Sequence, residues 1–231
     1  MYAKACELVR NNVYGLIASS LRKEGDTVNM SFGNATGFMV SPGYIITAGH
    51  FVHVDKDFSK PIHNFFEIIK ASNIGGQTQV AEFVAEDSVL DIAVLKGPEI
   101  SEEKLLIKDG IMPRGTSCGF LGFPLSNVEV NPDGKKQFHL RERFQGGFIS
   151  NFSKEERSPG KIYGYYETDG LMYEGSSGCP CFNTEGEIIG MQIASQMRKK
   201  KDGEGIDQVS LSLSISSPEI IKFLKDQSIP F

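Results

Sequence analysis

The chain has 231 residues, 40% hydrophobic and 23% charged, enough to bury one large core or two small lobes and too apolar for a disordered chain. Its formal net charge of -5 gives no electrostatic reason to expect nucleic acid or an anionic membrane as a partner. No apolar run approaches the roughly 18 residues that a membrane-spanning helix needs.

Residues 2 to 10 place Ala3, Cys6, Val9 and Arg10 at helical spacing and predict one short helix. The opening Met1-Tyr2-Ala3-Lys4 has no basic end followed by an uninterrupted apolar stretch, so it does not read as a signal peptide. A cytoplasmic location is therefore expected. From Val13 to Ala18 onward the pattern is short β-type runs broken by turn residues. Ala35 to Val40 and Tyr44 to Thr47 are joined by the turn tripeptide Ser41-Pro42-Gly43, and Phe65 to Ala71, Gln79 to Ala85 and Ile92 to Leu95 follow.

Residues 96 to 114 turn polar and read as a linker, dividing the chain into residues 1–108 and 109–231. A second series then runs through Ser117 to Gly122, Gln137 to Phe144, Gly147 to Asn151, Gly164 to Thr168, Gly178 to Phe182, Glu187 to Ala194 and Val209 to Ile215. Many short strands with turn-rich connections predict an all-β sandwich or barrel. The chain closes on a helix with Ser217 as N-cap, Pro218 at the first helical position, and Ile220, Ile221, Phe223 and Leu224 as its apolar face.

Cys6, Cys118, Cys179 and Cys181 are too few for a disulfide scaffold, and the C-x-C spacing around Pro180 suits neither an easy bridge nor a zinc knuckle. Free, mostly buried thiols in a reducing compartment are expected.

Three residues carry candidate chemistry. Ser177 lies in Gly175-Ser176-Ser177-Gly178-Cys179-Pro180, where flanking glycines allow a protruding hydroxyl and converging backbone N–H groups; the same pattern is common in ordinary loops. A serine hydroxyl needs a base, and His50 in Thr47-Ala48-Gly49-His50 is either that base or a satisfied core histidine. Asp91, before Ile92-Ala93-Val94-Leu95, is either a strand-start residue or a buried carboxylate orienting the base. The order His, Asp, Ser, with two in the first series and one in the second, favours the catalytic reading of each.

The chain resembles the trypsin-like serine proteases, and most the protease domain of the HtrA/Deg family. The resemblance rests on Ala35-Thr36-Gly37-Phe38-Met39-Val40, residues 43 to 50, Asp87 to Lys96, Gly119-Phe120-Leu121-Gly122-Phe123-Pro124, Gly147-Phe148-Ile149-Ser150, Thr168-Asp169 and Glu185 to Gly190. It implies two six-stranded antiparallel β-barrels with the active site between them, and a Ser-His-Asp triad of Ser177, His50 and Asp91. It also implies an oxyanion hole from the N–H groups of Gly175 and Ser177, and a substrate-pairing strand at Ile193-Ala194-Ser195. The pocket before the scissile bond would be walled by Leu171, Met172 and Tyr173, by Ile193 to Ser195, and by Leu213 on the following strand. With no carboxylate at its base, cleavage after small or medium apolar residues is expected. Glu174 is placed at its mouth and Asp169 behind it as a brace.

Several departures stand out. Phe51 follows the histidine where secreted digestive members carry cysteine. Ser176 replaces the aspartate that pairs with a newly cut N-terminus. Cys179 stands where a second glycine is common. HtrA proteins carry a C-terminal PDZ module, whereas this sequence ends at Phe231, right after the closing helix.

No cofactor is expected. The pair His50 and His53 with Asp55 is a poor metal site once His50 belongs to a triad. Residues 198 to 201, Arg-Lys-Lys-Lys, read as a solvated loop tip, or else as a docking site for an acidic partner. Tyr163, Tyr165 and Tyr166 read as core and cleft wall. The expected partners are a protein or peptide substrate and a separate activating or recruiting protein. The rival readings are a catalytically silent peptide-binding module and an esterase or acyl transferase on the same triad.

Overall fold

The computed structural model describes residues 2–25, 27–71, 77–98, 104–130, 136–170, 172–196 and 211–231. The first helix, α1 (Ala3–Arg10), buries Ala5 and Val9, one turn apart on the same face. It docks away from the strands that follow it. The Tyr2 ring lies 5.3 Å from Phe144 and 6.0 Å from Phe182, its hydroxyl bonds Ser117 Oγ at 2.7 Å, and Arg10 pairs with Glu142 at 2.8 Å.

Six strands then close the first barrel: β1 (Val13–Glu24), β2 (Thr27–Ser41), β3 (Tyr44–Ala48), β4 (Phe65–Lys70), β5 (Gln79–Asp87) and β6 (Ile92–Lys96), in the order β1-β2-β3-β6-β5-β4. A two-residue turn joins β2 to β3, and Gly43 supplies its positive φ of 79°. A short helix, α2 (Gly49–Val52), and a single 3-10 turn, Val54–Lys56, follow β3.

The second barrel begins with β7 (Ser117–Gly122). A separate hairpin, β8 (Asn127–Val130) and β9 (Lys136–His139), precedes β10 (Arg143–Ser158), β11 (Lys161–Thr168), β12 (Pro180–Phe182), β13 (Ile188–Gln196) and β14 (Leu211–Ser216). The barrel order is β10-β11-β14-β13-β12-β7, again antiparallel and closed. The last helix, α3 (Ser217–Asp226), buries Ile220, Ile221, Phe223 and Leu224. Each such side chain contributes about 1.5–3 kcal/mol when fully buried.

The all-β, two-barrel architecture agrees with the sequence reading, and three local features differ from it. The run Gln137 to Phe144 is not one strand: its start belongs to the β8–β9 hairpin and its end opens β10. The polar linker is not free, because Leu105 and Ile107 are buried and Ile107 bridges Ile188 in parallel. Ser217 is the first residue of α3; the extended residue before the helix is Ser216, with no side-chain capping bond. The basic run 198 to 201 lies outside the described residues.

One hydrophobic cluster spans both barrels. Val13, Phe38, Ile46 and Val94 of the first belong to it together with Phe123, Ile188, Met191 and Ile215 of the second and the apolar face of α3.

Candidate active site

β3 pairs with β6 through Ala48 and Ile92, which brings the ends of the two strands side by side. Gly49 then passes so close to the neighbouring chain that a Cβ there would sit 3.1 Å from Ile92 N and 3.2 Å from the Asp91 carbonyl carbon. His50 therefore lands beside Asp91. Its backbone N–H donates to Asp91 Oδ1 at 2.8 Å, and its ring Nδ1 lies 2.9 Å from Oδ2 and 3.1 Å from Oδ1. A carboxylate only accepts, so Nδ1 carries the proton and the neutral imidazole presents its lone pair at Nε2.

Asp91 has φ of 66°, a left-handed conformation costing about 1–2 kcal/mol for an L-residue. Asp87 holds it there. The Asp87 Oδ1 accepts the N–H groups of Val89 and Leu90 at 2.9 and 3.0 Å, and its carbonyl accepts the Asp91 N–H at 2.9 Å. The Tyr163 hydroxyl, from the second barrel, donates to Asp87 Oδ2 at 3.2 Å. His53 serves as a brace. Both its ring nitrogens are engaged, by Lys60 O and Glu86 Oε2, each at 2.8 Å.

The serine loop is a tight turn clamped to the first barrel. The Ser176 N–H donates to Tyr173 O, and the Cys179 N–H to Ser176 O. Gly175 and Gly178 have φ of 92° and 84°. Any side chain at Gly178 would collide with Thr36 O and Thr47 Oγ1 and come within 2.9 Å of Ala48 N, so only glycine lets the turn approach the end of β3. Thr36 does the clamping. Its N–H donates to Ser177 O at 2.9 Å, and its hydroxyl donates to Gly175 O at 2.8 Å while accepting the Phe123 N–H at 2.9 Å. Among the described residues the N–H groups of Gly175 and Ser177 donate to no protein acceptor, so both remain available to an acceptor on a ligand. No hydrogen bond links the imidazole to Ser177 among the described residues.

A cleft of about 460 Å³ opens beside Ser177. Met172, Tyr173 and Glu174 form one wall and Gln192 to Ser195 the other, with Lys56 reaching across from the first barrel. β13 pairs with β12 only as far as Met191, so among the described residues its part beyond Gln192 pairs with β14 alone and has one edge without a strand. A bulge between Gln192 and Ala194 leaves Ile193 unpaired. Ser195 Oγ ties the two walls by donating to Met172 O at 3.1 Å.

Of the residues expected from sequence, His50 and Asp91 come together, and Met172, Tyr173, Ile193, Ala194 and Ser195 line the cleft with Ser177. Leu171 lies outside the described residues. Leu213 does not line the cleft: it is buried in the core with Ile215 and Ile220, because β14 turns Ser212 and Ser214 the other way, onto Gly170 O and Gln192 Oε1. Asp169 is a brace, accepting the Phe148 N–H at 2.6 Å. Glu174 is not merely solvated. It pairs with Lys56 at 2.6 Å, and that hydrogen bond and charge hold its carboxyl below the usual range. Thr36 and Asp87 enter the sequence reading only within the motifs of the resemblance, and none of Thr36, Asp87 and Lys56 is assigned a site role there. Asp87, four residues before Asp91 at a turn, carried a usable signal as an Asx-turn residue, whereas Thr36 carried none beyond being polar in an apolar strand.

Comparison with known proteins identifies the family and the fold. Residues 35–191 match the model of the trypsin-like peptidase domain. The chain is similar to a probable periplasmic serine endoprotease DegP-like of Chlamydia pneumoniae, 26% identical over 168 residues. That match takes in 69% of this chain and 28% of the relative, so the chain spans under a third of that protein's length. Among solved structures, the active form of the Rv3671c protease from M. tuberculosis superposes with a TM-score of 0.68 at 17% identity, covering 98% of this chain and 85% of that one. The inactive Ser343Ala mutant of Rv3671c gives 0.67 at 16%, covering 97% and 90%. At these identities the structural matches establish the fold. The family match covers most of the sequence, and the chain belongs to the trypsin-like peptidase domain family.

Proposed function

We propose that the protein is a serine endopeptidase in which Ser177, His50 and Asp91 act as the triad. The observation that carries this reading is the Nδ1 contact of His50 with Asp91 beside a clamped turn that leaves the Gly175 and Ser177 N–H groups free. Ser177 Oγ adds to the scissile carbonyl as His50 Nε2 takes its proton, and Asp91 stabilises the imidazolium. The carbonyl oxygen, now negative, receives the two free N–H groups. His50 then protonates the departing amine, and water, deprotonated by the same imidazole, releases the acyl group from Ser177. A resting His50–Ser177 separation suits this reading, because such hydrogen bonds tighten on substrate binding.

Apolar walls at Met172 and Ile193, with no carboxylate on β14, support cleavage after small or medium apolar residues. Ser176 is buried and cannot take an ion pair from a new N-terminus, which supports activation by a partner or substrate and not by processing. Four unpaired cysteines support a reducing compartment such as the cytoplasm.

A fluorophosphonate probe tests the central claim. Wild-type protein should label on Ser177, and Ser177→Ala should lose labelling and peptidase activity by about 10³-fold or more while melting normally. A wild-type protein that binds peptides but resists the probe would establish the silent module instead.

A further inference from the structure

We propose that Lys56 is a specificity-determining residue that selects an acidic substrate side chain within two residues of the scissile bond; this rests on the peptidase reading above. Among the described residues, Lys56 and Glu174 are the charges on a cleft whose other walls, Met172, Tyr173 and Gln192 to Ser195, carry none. They come from different barrels and meet at 2.6 Å. Glu174 directly precedes the oxyanion donor Gly175, so a carboxylate already rests on Lys56 close to where the reacting carbonyl must lie.

The two partners are not equivalent. The Lys56 backbone is held from below, and its side chain is 46% exposed. Asp55 and Lys56 have consecutive φ values of 63° and 56°, and the Lys56 N–H donates to His53 O at 3.2 Å. His53 is in turn locked between Lys60 O and Glu86. Two left-handed non-glycine residues in succession persist only where the surroundings impose them, and here they aim the cation at the cleft. The Glu174 side chain is 69% exposed and held at its tip by Lys56. Such an exposed pair contributes little to stability, so exchanging Glu174 for a substrate carboxylate is cheap. Once bound peptide covers the cleft and excludes water, the new pair is stronger than the one it replaces. A basic substrate residue meets the opposite situation, because the Lys56 charge repels it.

Binding to the Ser177→Ala protein tests this without requiring turnover. The probes are apolar decapeptides of one sequence with a single Glu or Gln scanned along them. The best Glu peptide should bind about fivefold or more tighter than its Gln counterpart, with the advantage shrinking at high salt. Adding Lys56→Ala should equalise the pair, Lys56→Arg should keep the preference, Lys56→Glu should turn it toward Lys peptides, and Glu174→Gln should enlarge it. Equal binding of Glu and Gln peptides at every position, no peptide binding, or a preference that survives Lys56→Ala in a normally melting protein overturns the proposal. Fluorophosphonate labelling of wild type reports separately on the peptidase reading, so the two failures are distinguishable.

Discussion

The Thr36 side chain shows how one hydroxyl can hold the loop around Ser177, 141 positions away in sequence. It is fully buried, and it satisfies the Gly175 carbonyl and the Phe123 N–H at once. Valine has nearly the same shape and removes both bonds, leaving two buried backbone groups unpaired at about 1–3 kcal/mol each. Thr36→Val should therefore lower the melting temperature and cut kcat/KM by more than tenfold, and Thr36→Ser should restore most of both. Normal activity in a destabilised Thr36→Val protein would show that the clamp serves stability alone. At this scale the sequence was legible where a residue's chemistry is unusual. A serine between glycines and an aspartate against an apolar run announce themselves, and a threonine inside a strand does not, because its partners are fixed only by the tertiary fold. Leu213 illustrates the same limit. Whether it or its serine neighbours face the cleft depends on strand phase, and Ser212 and Ser214 make the hydrogen bonds on the cleft side.

Among the elements, the turn between β5 and β6 is the one on which the histidine depends. Asp87 accepts three hydrogen bonds from three residues through its side chain, one of them from Tyr163 of the other barrel. Removing that carboxylate loosens the turn that presents the left-handed Asp91 and leaves only the Asp87 carbonyl on the Asp91 N–H. Asp87→Ala should fold and lower kcat by about 10–100-fold with KM little changed, since no substrate contact is lost. Asp91→Asn should cost more, about 10³–10⁴-fold, by favouring the wrong His50 tautomer. Equal losses in both variants, or a change confined to KM, would remove Asp87 from this positioning role. The elements hardest to read were those that project from the barrels. β1 and β2 continue to Glu24 and from Thr27, well past the predicted strand ends, with Leu21 and Met30 exposed near their tips. The far end of β10, Ser153 to Ser158, is largely polar and pairs with β11. Such ribbons are held by backbone hydrogen bonds and leave no hydrophobic alternation to detect.

For the molecule as a whole, the two barrels behave as one packed body. Tyr2 and Arg10 of the first segment fasten to the second barrel, Leu105 and Ile107 carry the linker into its core, and one hydrophobic cluster runs through both. Burial on this scale also sets side-chain chemistry, and it raises the Tyr165 hydroxyl to about 12. Cys118, Cys179 and Cys181 share a cluster with Phe120, Tyr166 and Ile189 directly beneath the serine loop. Burial pushes the Cys179 and Cys181 thiols well up, so the reactive thiolate is scarce at ordinary pH. Cys6 on α1 is only partly buried, and its thiol is raised by desolvation and by Glu7. Alkylation should therefore report on opening of the second barrel. In native protein at pH 8, iodoacetamide should modify Cys6 first, slowly because its thiol is raised but ahead of the three buried ones because it is partly exposed. Cys118, Cys179 and Cys181 should react together at one slow rate that rises with denaturant, because a single cooperative opening exposes all three. Protein unfolded without reductant should take up four adducts by mass. Two adducts instead of four would reveal a disulfide, and rapid native modification of Cys179 would mean that the serine loop opens independently of the barrel beneath it.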